Sequence, residues 1–195
     1  NGNINSDPYI TGAITLYESD VQIDHSTFED INIEDALNIF RANFQINHST
    51  FKNLPSDAID VDFGTGVISN SAFRHISGDG IDVSGSKIEM ESLSFDHIKD
   101  KGISVGEAST LSASNISFFD IGTAVASKDG SNTIVKNLNI KKAQVAGLMS
   151  YTKKQGYQSS TLKAFNIHFE ETKIKYQSSH YNNIFVDGKK MKKTR

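Results

Sequence analysis

The chain has 195 residues, no cysteine and a formal net charge of −3, so it carries no disulfide framework, and no apolar run approaches the roughly 18 residues of a membrane-spanning helix. The charge is unevenly placed: residues 1–140 hold 8 Lys+Arg and 20 Asp+Glu, whereas residues 141–195 hold 12 and 3. An acidic body with a basic end is expected. That end, Lys189-Lys190-Met191-Lys192-Lys193-Thr194-Arg195, lacks the interleaved aromatic residues of a nucleic-acid groove and reads as a solvated tail.

In chain order, the opening Asn1-Gly2-Asn3-Ile4-Asn5-Ser6 shows no signal-peptide pattern. The chain is expected to be a mature or excised part of a larger protein, with residues 1–8 an irregular start. From residue 9 a period of about 22 residues takes over. Ile14, Leu37, Ile59, Ile81, Ile103, Val125 and Leu148 follow at steps of 22 or 23, and Phe28, Phe51, Phe73, Phe95, Phe118, Ile140 and Phe169 keep that step until a last one of 29.

Within each repeat polar and apolar residues alternate, as in Ile59-Asp60-Val61-Asp62, so the local period is two and the elements are short strands, not helices. One repeat fits one solenoid coil of two or three strands, with the next coil about 4.8 Å away and in register. No coil could bury its apolar face alone, so stacking makes the core. The leucine-rich horseshoe has a similar repeat length, but its leucine and asparagine consensus is missing here. The expected fold is all-β: one domain over 1–195, a solenoid of seven to eight coils, regular over 9–172, with a divergent last coil and basic tail over 173–195.

Three residues before each phenylalanine lies a turn column, His25, His48, Asn70, Ser92, Asn115, Asn137 and Asn166. Stacked at coil spacing, these side chains are expected to hydrogen-bond to one another and to buried turn backbone as a ladder. His25 and His48 are read as structural members of that ladder. Period, alternation and ladder together resemble the right-handed parallel β-helix proteins of the pectin-lyase-like superfamily, over roughly 160 of the residues.

The repeat also serves as a ruler. Asp60 and Asp82 occupy one outward position of adjacent coils, Asp62 lies two residues on, and a turn column three residues before Asp60 runs Asp35, Asp57, Asp79, Lys101 and Thr123. Asp57, Asp60, Asp62, Asp79 and Asp82 therefore crowd one patch. Like charges about 5 Å apart repel by roughly 3 kcal/mol at an effective dielectric of 20, so compensation is expected from a bound cation, raised carboxylate pKa values or the neighbouring lysines. Ca2+ suits such an all-oxygen set, with Asp60, Asp62 and Asp82 as its expected ligands.

Gly78-Asp79-Gly80-Ile81-Asp82 followed one coil on by Asp100-Lys101-Gly102-Ile103-Ser104-Val105-Gly106 is similar to the active-site coils of polygalacturonases. By that resemblance Asp57 and Asp79 match catalytic acids, while Lys101 stands where the family has a histidine. The family's second middle aspartate is a glycine here, and its Arg-Ile-Lys clamp has no counterpart. The resemblance therefore favours a lyase or epimerase over an inverting hydrolase, with Asp57, Asp79 and Lys101 as the acid–base groups.

The one long step places about seven extra residues in Tyr151–Ser160, a loop at the end of the same face. Lys128, Asp129, Tyr151, Lys153, Lys154 and Tyr157 are its expected substrate-binding residues, because tyrosines stack on sugar rings and lysines pair with carboxylates or sulfates. The expected function is an extracellular or cell-envelope module that binds polysaccharide, an acidic one. The alternatives are a carbohydrate-active lyase, epimerase or hydrolase, and a structural rod whose opposite-charged ends associate head to tail or join neighbouring domains.

Overall fold

A computed structural model describes residues 12–179 and 181–192; the irregular start expected over 1–8 lies outside them. The described residues contain strands and turns but no helix, and no helix long and apolar enough to cross a membrane. The strands stack as three parallel walls. The first wall begins Gly12–Tyr17, Asp35–Phe40, Asp57–Asp62 and Ile81–Ser84; the second begins Val21–Asp24, Asn43–Asn47, Thr65–Ser69 and Lys87–Glu91; the third begins Thr27–Glu29, Thr50–Leu54 and Ala72–Ile76. From Ser94 onward the strands run through the corners, so Thr110–Lys128 and Asn132–Tyr151 each serve all three walls in turn.

The register is the one read from the sequence. Ile14, Leu37, Ile59, Ile81, Ile103, Val125 and Leu148 pair coil to coil, and the series continues to Tyr176. Phe28, Phe51, Phe73, Phe95 and Phe118 form a continuous ring stack, with centroids 4.5, 5.1, 4.7 and 5.0 Å apart. That separation is the strand spacing of a parallel sheet, so identical rings stack without leaving their rotamers. The packing also dictates small residues on the first wall. A Cβ on Gly80 or Gly102 would lie 2.7 Å from Phe95 or 2.5 Å from Phe118. The glycine in each Gly-Ile pair of the polygalacturonase-like stretch is thus required by the phenylalanine stack, whatever the chemistry outside.

Each coil turns through residues in the left-handed region. His25, His48, Asn70, Ser92, Asn115, Asn137 and Asn166 all have φ between 47 and 58°, which explains the asparagine preference at this corner. The expected ladder exists in part: Asn137 Nδ2 donates to Asn115 Oδ1 at 2.9 Å, and Asn166 Nδ2 to Asn137 Oδ1 at 2.9 Å. These asparagines are exposed, however. Left-handed φ points their side chains outward, and the buried turn amides are met instead by serines one residue further on. Ser26 N–H donates to Ser49 Oγ, and Ser49 N–H to Ser71 Oγ.

The carboxy-terminal lysines are not wholly a free tail. Lys189 and Lys190 pair antiparallel with Val186 and Phe185, covering the last edge of the second wall while their own side chains stay exposed.

Candidate functional site: a carboxylate–lysine face

The outer surface of the first wall gathers the chemistry. Register places Asn38, Asp60, Asp82 and Ser104 in one column over four coils. Asn38 Nδ2 donates to Asp60 Oδ2 at 3.3 Å. Both outer members are buried, Asn38 at 2% and Ser104 at 0% exposure, yet Asn38 Oδ1 and Ser104 Oγ find no partner among the described residues. Two stacked carboxylates are thus flanked by two unsatisfied polar atoms.

The neighbouring turn column is wired differently. Asp57 Oδ1 accepts the Asp79 N–H at 2.7 Å, and Asp79 Oδ1 accepts the Lys101 N–H at 2.9 Å. Each carboxylate brackets the next coil. Gly78 makes room for this, since a Cβ there would sit 2.0 Å from Asp57 Oδ1. Lys101 Nζ lies 3.2 Å from Asp79 Oδ1 and 2.7 Å from Asp100 Oδ2.

Burial and crowding move the protons. Burial first, then the charges of Asp62, Asp35, Asp82 and Asp57, push Asp60 up to about 8. Burial raises Asp79 to about 7 against the pull of Lys101, and raises Asp57 to about 6 against the Asp79 N–H bond. Asp62 is raised by burial and by Glu107 and Asp82. Burial opposes the charge on Lys101, but Asp79 and Asp100 hold its ammonium above the usual lysine range. Lys101 is therefore held as a cation between Asp79 and Asp100.

Lys128 lies flat along the face. Its Nζ reaches Asp82 Oδ1, 3.4 Å away and two coils back, with only 11% of its side chain exposed. Gly106 permits this, because a Cβ there would stand 2.7 Å from Lys128 Cε. Tyr151 is half-buried beside Lys101 and Lys128, and burial raises its phenol.

The insertion is in the expected place: Lys128 pairs with Tyr151 and Asn132 with Thr161, so the extra residues fall between Tyr151 and Thr161. Asp129, one of the residues expected to bind substrate, is instead fully buried beneath this loop, where Oδ1 accepts the N–H groups of Lys153 and Lys154 at 2.6 and 2.7 Å. The corner is left-handed like the others, but here the inserted loop folds over it and its backbone N–H groups take the carboxylate out of solvent. Lys154 Nζ pairs with Glu107 Oε1, and Tyr157 Oη donates to Glu107 Oε2 at 3.3 Å. Glu107, which also accepts from Ser84 Oγ at 3.3 Å, thereby pins the loop to the acidic coils. Its signal in the sequence was its place just after Gly106 in the Asp62 column. Lys153 is exposed.

Oxygens of Asp57, Asp79 and Asp82 lie within 4.8 Å of one another. Ca2+ takes oxygen ligands at about 2.3–2.6 Å, so two ligands of one ion stand up to roughly 5 Å apart, and these three fit by donor type and spacing. Asp82 is common to this set and to the expected one. Asp60 stands in register beside Asp82, and Asp62 is crowded by the like charge of Glu107. Lys101 and Lys128 already neutralise Asp79 and Asp82, so a cation here competes with two ammonium groups.

The family described as "Right handed beta helix region" matches residues 35–189. The chain belongs to the right-handed β-helix family. Among solved structures, this β-helix is similar to one described as the Agl-KA catalytic domain, with a TM-score of 0.58 and 10% identity over 90% of this chain and 42% of that one. It thus spans under half the length of that domain, and the likeness is one of fold. An alginate lyase from Paenibacillus sp. str. FPU-7 matches at a TM-score of 0.35 and 8% identity, over 91% of this chain and 98% of that one. No curated protein matches the chain in sequence.

Proposed function

We propose that this β-helix binds an acidic polysaccharide along the outer face of its first wall, outside the cell or in its envelope. The observation that carries the reading is the column Asn38-Asp60-Asp82-Ser104, two crowded carboxylates between two buried polar atoms that lack partners among the described residues. A core stabilised for its own sake would pair or replace such groups. Sugar hydroxyls, which both donate and accept, suit the partly exposed carboxylates of Asp60 and Asp82. The loop from Tyr151 to Ser160, with Lys153, Lys154 and Tyr157, would receive uronate or sulfate groups at the lysine end of the face. At the aspartate end, protonated Asp60 and Asp79, or Ca2+ on Asp57, Asp79 and Asp82, would relieve repulsion of an anionic chain.

The test is affinity electrophoresis through gels containing anionic or neutral polysaccharides, with and without Ca2+, at pH 5 and pH 8. Retardation by an anionic glycan supports the reading. Retardation by neutral glycans alone, or by none, overturns it.

A lyase or epimerase is the second reading. It is favoured by Asp57 at about 6 and Asp79 at about 7, both close to a working pH. Release of an unsaturated uronide, seen as new ultraviolet absorbance, would establish a lyase. Unchanged absorbance from every retained glycan, with no exchange of its carbon-bound protons for solvent deuterium, would leave binding alone.

A further inference from the structure

At the corner between the second and third walls lies a group that the polysaccharide face does not use. Asp24 ends the strand Val21–Asp24 and precedes His25; one coil on, Asn43–Asn47 precedes His48. Left-handed φ values of 48 and 47° turn both histidines out of the same corner. Their rings stack, centroids 4.7 Å apart and planes 18° from parallel. The Asp24 carboxylate serves both: Oδ2 is 3.0 Å from His25 Nδ1 and Oδ1 is 3.5 Å from His48 Nδ1. One ligand atom from each of the three residues lies within 4.8 Å of the others.

The neighbouring amide fixes the tautomer. Asn47 Oδ1 accepts from Ser69 Oγ and Asn70 Nδ2 at 2.9 and 3.0 Å, so Asn47 Nδ2 is the atom 2.6 Å from His48 Nδ1. An amide nitrogen only donates, so His48 Nδ1 accepts from Asn47 Nδ2, which also donates to Asp24 Oδ1 at 3.2 Å; a bound ion would take the place of this amide between the same two ligand atoms. The other histidine pair, His75 and His97, lies at a similar 4.9 Å but with its planes tilted by 35°, and His97 Nδ1 and Nε2 are directed at two different carboxylates, Asp96 at 2.6 Å and Asp120 at 3.6 Å. No three-donor group forms there among the described residues.

We propose that Asp24, His25 and His48 form a surface site for a divalent transition-metal ion, Zn2+. Two imidazole nitrogens and a carboxylate oxygen supply three of the four positions that zinc takes, and water takes the fourth. Imidazole donors set this site apart from the all-oxygen cluster on the first wall, which suits Ca2+. Asp24 and His25 belong to one coil and His48 to the next, so the ion clips the amino-terminal coil to its neighbour. Val21–Asp24 has no fully buried residue, whereas Asn43–Asn47, stacked on it one coil later, buries Phe44 and Ile46. Bound metal adds stability through mass action at that end.

Isothermal titration of the chain, carrying no polyhistidine tag, with zinc chloride tests this. One Zn2+ per chain is expected, undisturbed by excess Ca2+. His25→Asn, His48→Asn and Asp24→Asn should each weaken binding at least about tenfold. Asparagine keeps the left-handed corner, as it does at Asn70 and Asn115, so the variants should melt like the parent in metal-free buffer. Saturating Zn2+ should raise the melting temperature of the parent, not of His48→Asn, and slow amide exchange over Val21–Asp24. Absence of binding, binding undiminished in His48→Asn, or binding lost in His75→Asn/His97→Asn would overturn the assignment.

Discussion

Two adjacent columns of the first wall, Asp57 with Asp79 and Asp60 with Asp82, use one residue type for two purposes. The turn pair sits where backbone N–H groups of the next coil point outward, and each carboxylate accepts one of them. The strand pair is held more by side chains: Asp60 meets Asn38, and Asp82 Oδ1 accepts both the Val83 N–H of its own strand at 2.9 Å and the Lys128 ammonium at 3.4 Å, but neither carboxylate holds a backbone N–H of the next coil. Crowding alone therefore does not mark a functional acid. The informative carboxylates are those whose removal relieves strain rather than creating it.

The largest expected effect comes from breaking the turn column. Asp79→Ala deletes the acceptor for the Lys101 N–H and a nearly buried ion pair, and should cost about 3 kcal/mol in urea unfolding. Asp60→Asn should do the reverse, adding about 2 kcal/mol at pH 8, because it removes a crowded charge and keeps the shape. The sign follows from the protons. Asp57, Asp60 and Asp79 are raised in the folded state from 3.8 to about 6, 8 and 7, so the fold binds more protons than the unfolded chain. Their contribution is complete below about pH 4 and is lost as the pH rises through 6 to 8. Melting temperatures across that window should fall in the parent and fall less steeply in Asp60→Asn; an unchanged slope would contradict the crowding.

Smaller effects separate the loop from the wall. Asp129→Ala releases the N–H groups of Lys153 and Lys154, so trypsin should cut there on the order of tenfold faster while global stability changes by about 1 kcal/mol. Lys154→Met removes a largely exposed pair with Glu107 and should change stability by less than about 0.5 kcal/mol. A larger loss would mean that the loop supports the solenoid rather than resting on it.

The coil register was legible because stacking repeats identical environments: once Phe28 and Phe51 fall one period apart, Asp60 must pair with Asp82. The patch of aspartates and the loop position follow from the same ruler. What the ruler does not contain is direction. It placed Asp129 beside the loop but could not show it turned beneath, and it placed Lys128 one position beyond Gly106 but not its reach back to Asp82. It set His25 and His48 in one column, yet Asp24 joined them only when the left-handed corner brought its carboxylate alongside. Corner conformation and long flexible side chains depend on neighbours outside the repeat, which is why the site was less legible than the fold.

The central claim is that the Asp60 and Asp82 column recognises ligand while the turn column holds the coils. The most direct measurement is polysaccharide retention of Asp60→Asn/Asp82→Asn set beside its melting temperature. Lost retention with an equal or higher melting temperature is the expected result. Full retention, or a collapse in stability like that of Asp79→Ala, would contradict the claim.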